Sequence, residues 1–218
     1  MERDGVAMVK FIRWVKEAVK TGNETEMSAD KVLCGFRAEQ ALFKGISFDT
    51  TCCTVMISGD DMIPLRPAIM WMDMRASSQA KRIAASGHPM LKYNGYGMVS
   101  AECLPAKALW IKENQPELWN KATRFYECTD WLTYKLTGKY TASINCASAR
   151  WYYNAAEGGY PVDFYEKIGL EDLVQKLPAQ VLSMGDFVGG LTEEAARDMG
   201  LQAGIPVGEG GADAFVGV

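Results

Sequence analysis

Apolar residues recur at helical spacing near the start of the chain. Met8, Phe11, Ile12, Val15 and Val19 line one face, and Lys10, Arg13, Lys16, Glu17 and Lys20 take the other. That pattern predicts an amphipathic helix ending at Thr21-Gly22, followed by a polar loop from Asn23 to Asp30. Short apolar runs then predict strands over Phe43 to Phe48, Cys52 to Ile57 and Pro67 to Met72, with a turn at Ser58-Gly59-Asp60-Asp61.

Helical segments are predicted at about Ala76 to Ser86, Pro105 to Asn114, Glu117 to Ala122 and Thr129 to Leu136. The last has Thr129 as candidate N-cap and Gly138 as its stop. Phe164 to Gly169 and Glu171 to Leu177 read as shorter helices. Thr192-Glu193-Glu194 opens another, with acids in its first turn and Gly200 at its end. Pro206 to Gly208 is the final predicted strand. Strands alternating with helices predict an α/β fold, a mixed sheet flanked by helices. A chain that opens on a helix and closes on a strand-turn leaves such a sheet short of strands, with edges exposed.

Composition narrows the class. The chain has 218 residues, 48% apolar and 23% charged, with a net charge of −4. That balance gives no reason to expect a nucleic-acid partner or an anionic membrane surface. No apolar run approaches the roughly 20 residues that span a bilayer. The start, Met1-Glu2-Arg3-Asp4-Gly5, is charged and unlike a signal peptide, so a cytoplasmic location is expected. Six cysteines are present, none in a C-x-x-C spacing, and the single histidine, His88, precedes a proline. Buried reduced thiols, with no metal site, are therefore expected.

Four segments could carry chemistry. In Val207 to Val218 an apolar strand meets a glycine turn, Gly210-Gly211, then Asp213 at the start of an apolar helix. Asp213 there is either a helix cap or a base able to take a proton from an alcohol. The Pro67 to Met72 strand would deliver Trp71, Asp73 and Arg75 to one face at its carboxyl end, where open α/β sheets bind ligands. Trp71 offers a flat wall for a sugar's C–H face, while Asp73 and Arg75 either bind hydroxyls or hold each other. Asp49 and Thr50, in Asp49-Thr50-Thr51, bind a polyhydroxylated ligand or form an Asx or Ser/Thr turn. Glu102 accepts from a hydroxyl or complements the dipole of the helix beginning near Pro105. No P-loop is present, and Gly208-x-Gly210 fails the dinucleotide pattern because Asp213 occupies its third glycine position.

Taken in order, five stretches resemble the FGGY carbohydrate kinases. They are Gly45-Ile46-Ser47-Phe48-Asp49-Thr50-Thr51, Arg66-Pro67-Ala68-Ile69-Met70-Trp71-Met72-Asp73-Met74-Arg75-Ala76, Pro105-Ala106-Lys107-Ala108-Leu109-Trp110, Asp130-Trp131-Leu132 through Leu136-Thr137-Gly138, and Gly210-Gly211-Ala212-Asp213-Ala214. The ribulose, ribitol and xylulose kinase branch is the most similar. The resemblance implies an actin-like (ribonuclease H-like) fold and transfer of the γ-phosphoryl of Mg-ATP to a hydroxyl of an open-chain pentulose or pentitol. It implies Asp213 as catalytic base, and a sugar site lined by Trp71 and Asp73, with Asp49, Thr50 and Glu102. ATP and Mg2+ are the implied cofactors, with Gly210 and Gly211 on the nucleotide side, and a homodimer is expected of the whole enzyme.

Two departures qualify this. Xylulose kinases carry Gln-Met-His where this chain has Asp49-Thr50-Thr51, which points away from xylulose. The family also opens on an Asp-x-Gly-Thr phosphate loop that residues 1–218 do not contain. Residues 1–218 are thus expected to be a partial sugar-binding domain, lacking the family's first strands and its C-terminal ATP-binding domain. Alone, the piece is expected to be inactive and to aggregate or bind a partner. The alternative is a non-catalytic sugar-binding or scaffold domain derived from such a kinase. An actin-like ATPase without a sugar fits less well, because the matched segments are those of the sugar side.

Overall fold

The computed structural model of the chain describes residues 44–94 and 98–216. The helix predicted from Met8 to Val19 and the loop from Asn23 to Asp30 lie outside the described residues. Short strands and helices alternate from there on, as an α/β fold requires.

The strands pair into four two-stranded sheets, two parallel and two antiparallel. Strand β1 (Asp49–Thr50) lies parallel to β8 (Gly211–Ala212). Strand β2 (Val55–Ser58) runs antiparallel to β3 (Arg124–Glu127). Strand β4 (Thr141–Ser143) is parallel to β5 (Gln180–Leu182), and β6 (Phe187–Gly190) is antiparallel to β7 (Pro206–Gly208). Ile46 bridges to Val207, so the antiparallel β6–β7 pair and the β1–β8 pair follow one another along the same stretch of chain.

Strand β2 is buried throughout because both of its faces are covered. Val55 and Ile57 enter the main core with Ile69, Leu104, Trp119, Phe125, Trp151 and Phe164. Met56 turns the other way, against Met62 and Tyr126. Each large side chain so buried contributes ~1.5–3 kcal/mol. Helix α1 (Ser77–Ala85) buries Gln79, Ala80 and Ile83 on one face. Helix α2 (Leu104–Asn114) is buried almost all round, with Pro105 in its first turn. Helix α3 (Pro116–Lys121) follows and contributes Trp119 to the core.

Helix α4 (Cys128–Thr137) ends where predicted, at Gly138 with φ +70°. Helices α5 (Ile144–Arg150) and α6 (Val162–Lys167) come next. Helix α7 (Glu193–Met199) is capped by the Thr192 hydroxyl, which accepts from the Ala195 N–H at 3.3 Å, and it ends at left-handed Gly200. Helix α8 (Asp213–Val216) closes the described chain.

Five local predictions need correction. Thr129 is not the cap of α4: the helix begins one residue earlier, and the Asp130 carboxylate accepts the Glu127 N–H at 2.9 Å. The Glu171 to Leu177 helix is a single 3-10 turn, Val174–Lys176, because Asp172 is held by Trp119 and Lys112. The strand expected from Pro67 to Met72 reduces to one bridge, Ile69 with Val55, through two 2.9 Å hydrogen bonds. The carbonyls of Met70 and Trp71 are taken by the Lys107 ammonium rather than by a strand. Of the strand expected from Phe43 to Phe48, the described residues form only the Ile46 bridge, and a further strand, β8, follows Pro206–Gly208.

Candidate active site

The β1–β8 register is the centre of the site. Asp49 pairs with Gly211 and Thr50 with Ala212, so the chain leaves β8 directly into Asp213. The parallel pair thus gathers Asp49, Thr50, Gly210, Gly211 and Asp213 from the two ends of the described chain. Asp49 and Asp213 are both exposed. The capping alternative for Asp213 is partly realised, since its Oδ1 accepts the Ala214 N–H at 2.7 Å.

Three residues outside the predicted set hold this turn in place. The Thr50 hydroxyl lies 2.6 Å from that of Thr129 on α4. Asn145 Oδ1, on α5, accepts the Ala212 N–H at 3.0 Å. Glu209 is fully buried and accepts from the Thr141 and Thr133 hydroxyls at 2.6 and 3.0 Å and from the Gly210 N–H at 3.1 Å. Burial pushes the Glu209 carboxyl above its ordinary value, and the two hydroxyls pull it partly back.

Gly210 and Gly211 are buried. A β-carbon on Gly210 would stand 2.7 Å from the Phe48 ring and 2.8 Å from its carbonyl oxygen, and one on Gly211 would meet Val216 at 2.8 Å. Their N–H groups already reach Glu209 and Phe48. Close packing, not an open phosphate cradle, therefore accounts for the glycines, and the groups present here do not by themselves fit a nucleotide's phosphates.

Trp71 and Asp73 lie in a second segment, which Lys107 anchors, and Glu102 stands apart, its N–H bonded to the Ser100 hydroxyl at 3.2 Å. Trp71 is 40% exposed. It does not share a strand face with Asp73: the Asp73 N–H bonds to the Met70 carbonyl at 3.1 Å, and the chain turns there. Asp73 and Arg75 hold each other, with Nε to Oδ1 at 2.9 Å and a second nitrogen to Oδ2 at 2.6 Å. These hydrogen bonds to Arg75 draw the Asp73 carboxyl down to about 2. The Arg75 guanidinium also lies 4.9 Å above the Trp110 ring.

Lys107 is fully buried on α2. Its ammonium donates to the Cys53, Met70 and Trp71 carbonyls at 2.6, 2.8 and 3.4 Å, fixing the Trp71 segment against the turn that precedes β2. Burial lowers its pKa, against the pull of Glu127, Asp73 and Glu102. The signal was present in the sequence as a lysine set between Ala106 and Ala108 in the apolar first half of the helix. Among the described residues, no hydrogen bond or ion pair links Asp213 to Trp71, Asp73 or Glu102.

Comparison with known proteins identifies the family. Residues 12–218 match the N-terminal domain of the FGGY family of carbohydrate kinases. The chain is 40% identical to the human FGGY carbohydrate kinase domain-containing protein over 201 residues, covering 86% of this chain and 36% of that one. It is 32% identical to ribulokinase of Bacillus licheniformis, covering 80% of this chain and 35% of the relative. The xylulose kinase structure from Rhodospirillum rubrum superposes with a TM-score of 0.70 at 24% identity, over 78% of this chain and 35% of that one. The two share the actin-like fold. The chain spans about a third of the length of the curated relatives it matches.

Proposed function

The chain belongs to the FGGY family of carbohydrate kinases, and we propose that it serves as the sugar-binding side of a pentulose or pentitol kinase. The β1–β8 register, with Asp213 following it directly, carries this reading. Asp213 accepts the proton of the attacking sugar hydroxyl. Trp71 and Asp73 flank the ligand's carbon chain and hydroxyls, together with Asp49, Thr50 and Glu102. Ribulokinases and xylulose kinases both stand among the relatives, and Asp49-Thr50-Thr51 in place of Gln-Met-His is what favours D-ribulose or ribitol over xylulose.

ATP with Mg2+ supplies the transferable phosphoryl group in this reading. Its remaining contacts are assigned to the part of the relatives' length that this chain does not span, and Gly210 and Gly211 contribute by shaping the turn that carries Asp213. This chain's own task is to bind and orient the sugar and to hold the proton at Asp213, since phosphoryl transfer rests mainly on positioning and charge stabilisation.

The test is sugar-dependent ADP formation by the full-length protein with D-ribulose, ribitol and D-xylulose. Asp213→Asn is expected to lower kcat by ~10²–10⁴-fold, the usual contribution of a positioned base. An unchanged kcat would remove Asp213 from the base role. Sugar binding without any turnover would instead support the binding-domain alternative.

A further inference from the structure

Glu127, at the end of β3, is fully buried, yet among the described residues no cationic nitrogen lies within ion-pairing distance of it. Its Oε2 accepts the Cys53 N–H at 2.9 Å, and its Oε1 accepts the Trp151 indole N–H at 2.6 Å. These two donors aim the carboxylate toward a pair of thiols. Cys52 Sγ lies 3.8 Å from Oε1, and the ligating atoms of Cys52, Glu127 and Cys146 all lie within 4.8 Å of one another. The Thr129 hydroxyl stands 3.6 Å from Cys146 Sγ. Cys52 and Glu127 are 75 residues apart, so no ligand spacing along the chain announces the cluster.

We propose that Cys52, Cys146 and Glu127 are three ligands of a tetrahedral site for a thiophilic divalent cation of the Zn2+ class, with a water on Thr129 as the fourth. Zinc–sulfur and zinc–oxygen bonds of about 2.3 and 2.0–2.2 Å give tetrahedral edges of roughly 3.5–3.8 Å. The 3.8 Å separation already matches. Closing the others from within 4.8 Å needs about an ångström of side-chain rotation. Two sulfurs and one oxygen select a soft or borderline ion over Mg2+ or Ca2+. The indole and backbone N–H groups on Glu127 are the outer contacts that orient such a ligand. Each thiol gives up its proton to solvent as its sulfur–metal bond forms. The two thiolates and the carboxylate then leave one net negative charge around a dication. Cys52 is only half-buried, which gives the ion a way in. A bound ion would tie the turn after β1, the end of β3 and helix α5 together beneath the β1–β8 pair.

The probe is Co2+, titrated into the reduced, metal-stripped full-length protein. One equivalent is expected to bring up a thiolate-to-cobalt charge-transfer band and the visible bands of tetrahedral cobalt, and Zn2+ is expected to abolish both. Cys52→Ser should lose the charge-transfer intensity, and Cys128→Ser should keep it. No band in the parent chain, or a band that survives in both Cys52→Ser and Cys146→Ser, overturns the site. Should those variants not fold, X-ray absorption of the zinc-loaded parent decides. Two sulfur neighbours support the site, and one or none overturns it.

Discussion

Gly210 backs onto Phe48 so closely that a β-carbon on it would stand 2.8 Å from the Phe48 carbonyl oxygen. That oxygen accepts the Gly211 N–H and belongs to the residue before β1. Gly210→Ala should therefore push β1 and β8 apart and destabilise the chain by ~1–3 kcal/mol, the usual cost of overpacking. Urea denaturation checks this, and an unchanged midpoint would mean that the contact yields without cost.

Lys107→Met keeps the length and apolar stem of the side chain and removes its charge. The Cys53, Met70 and Trp71 carbonyls lose their shared donor. Leaving the buried Cys53 carbonyl unpaired costs ~1–3 kcal/mol, so a loss of about that size is expected in thermal or urea melts. Amide exchange across Met70 to Asp73 should speed up more than exchange in α7. Equal acceleration in both would make Lys107 a general stabiliser rather than the anchor of the Trp71 segment.

Asp73→Ala separates stability from ligand binding. The Asp73–Arg75 pair sits near the surface, and such pairs contribute ~0–1 kcal/mol, so the melting curve should barely move. If Asp73 binds the sugar, calorimetric affinity for D-ribulose should still fall by about tenfold, the ~1.5 kcal/mol of one hydrogen bond to a charged group. Unaltered affinity would leave Asp73 as a partner of Arg75 alone.

Glu209 gives the fold a pH dependence of definite sign. Its folded pKa lies above the ordinary Glu value, so the native state holds this proton more tightly than the unfolded chain. That contribution to stability is complete below the ordinary value and is lost as pH rises through the raised one. Glu209→Gln keeps the shape without the charge, so the variant should gain on the parent between pH ~4.5 and neutrality. Urea melts at the two ends of that range check it. A variant that loses ground as pH rises would show that Thr133, Thr141 and Gly210 over-compensate the burial.

The helices were the most legible part of the fold, because each carries its own punctuation. Gly138 and Gly200 stop α4 and α7 in the left-handed conformation, and Thr192 caps α7. The strand expected from Pro67 to Met72 failed for a reason no local pattern holds: its carbonyls are claimed by a lysine from a helix 36 residues further on. The candidate site divides in the same way. Asp49, Thr50 and Asp213 could be singled out by residue type and turn context, whereas Asn145, Thr129 and Lys107 matter only through partners distant in sequence.

Sequence alone determined the alternation of strands and helices, the glycine stops at Gly138 and Gly200 and the family motifs, since these rest on periodicity, capping and residue order. Tertiary structure alone decided that Asp49 and Thr50 stand in register with Gly211 and Ala212, and that Cys52, Glu127 and Cys146 converge. Strand register and side-chain convergence depend on how separate elements bury their apolar faces against one another, and those contacts join residues that no local window contains.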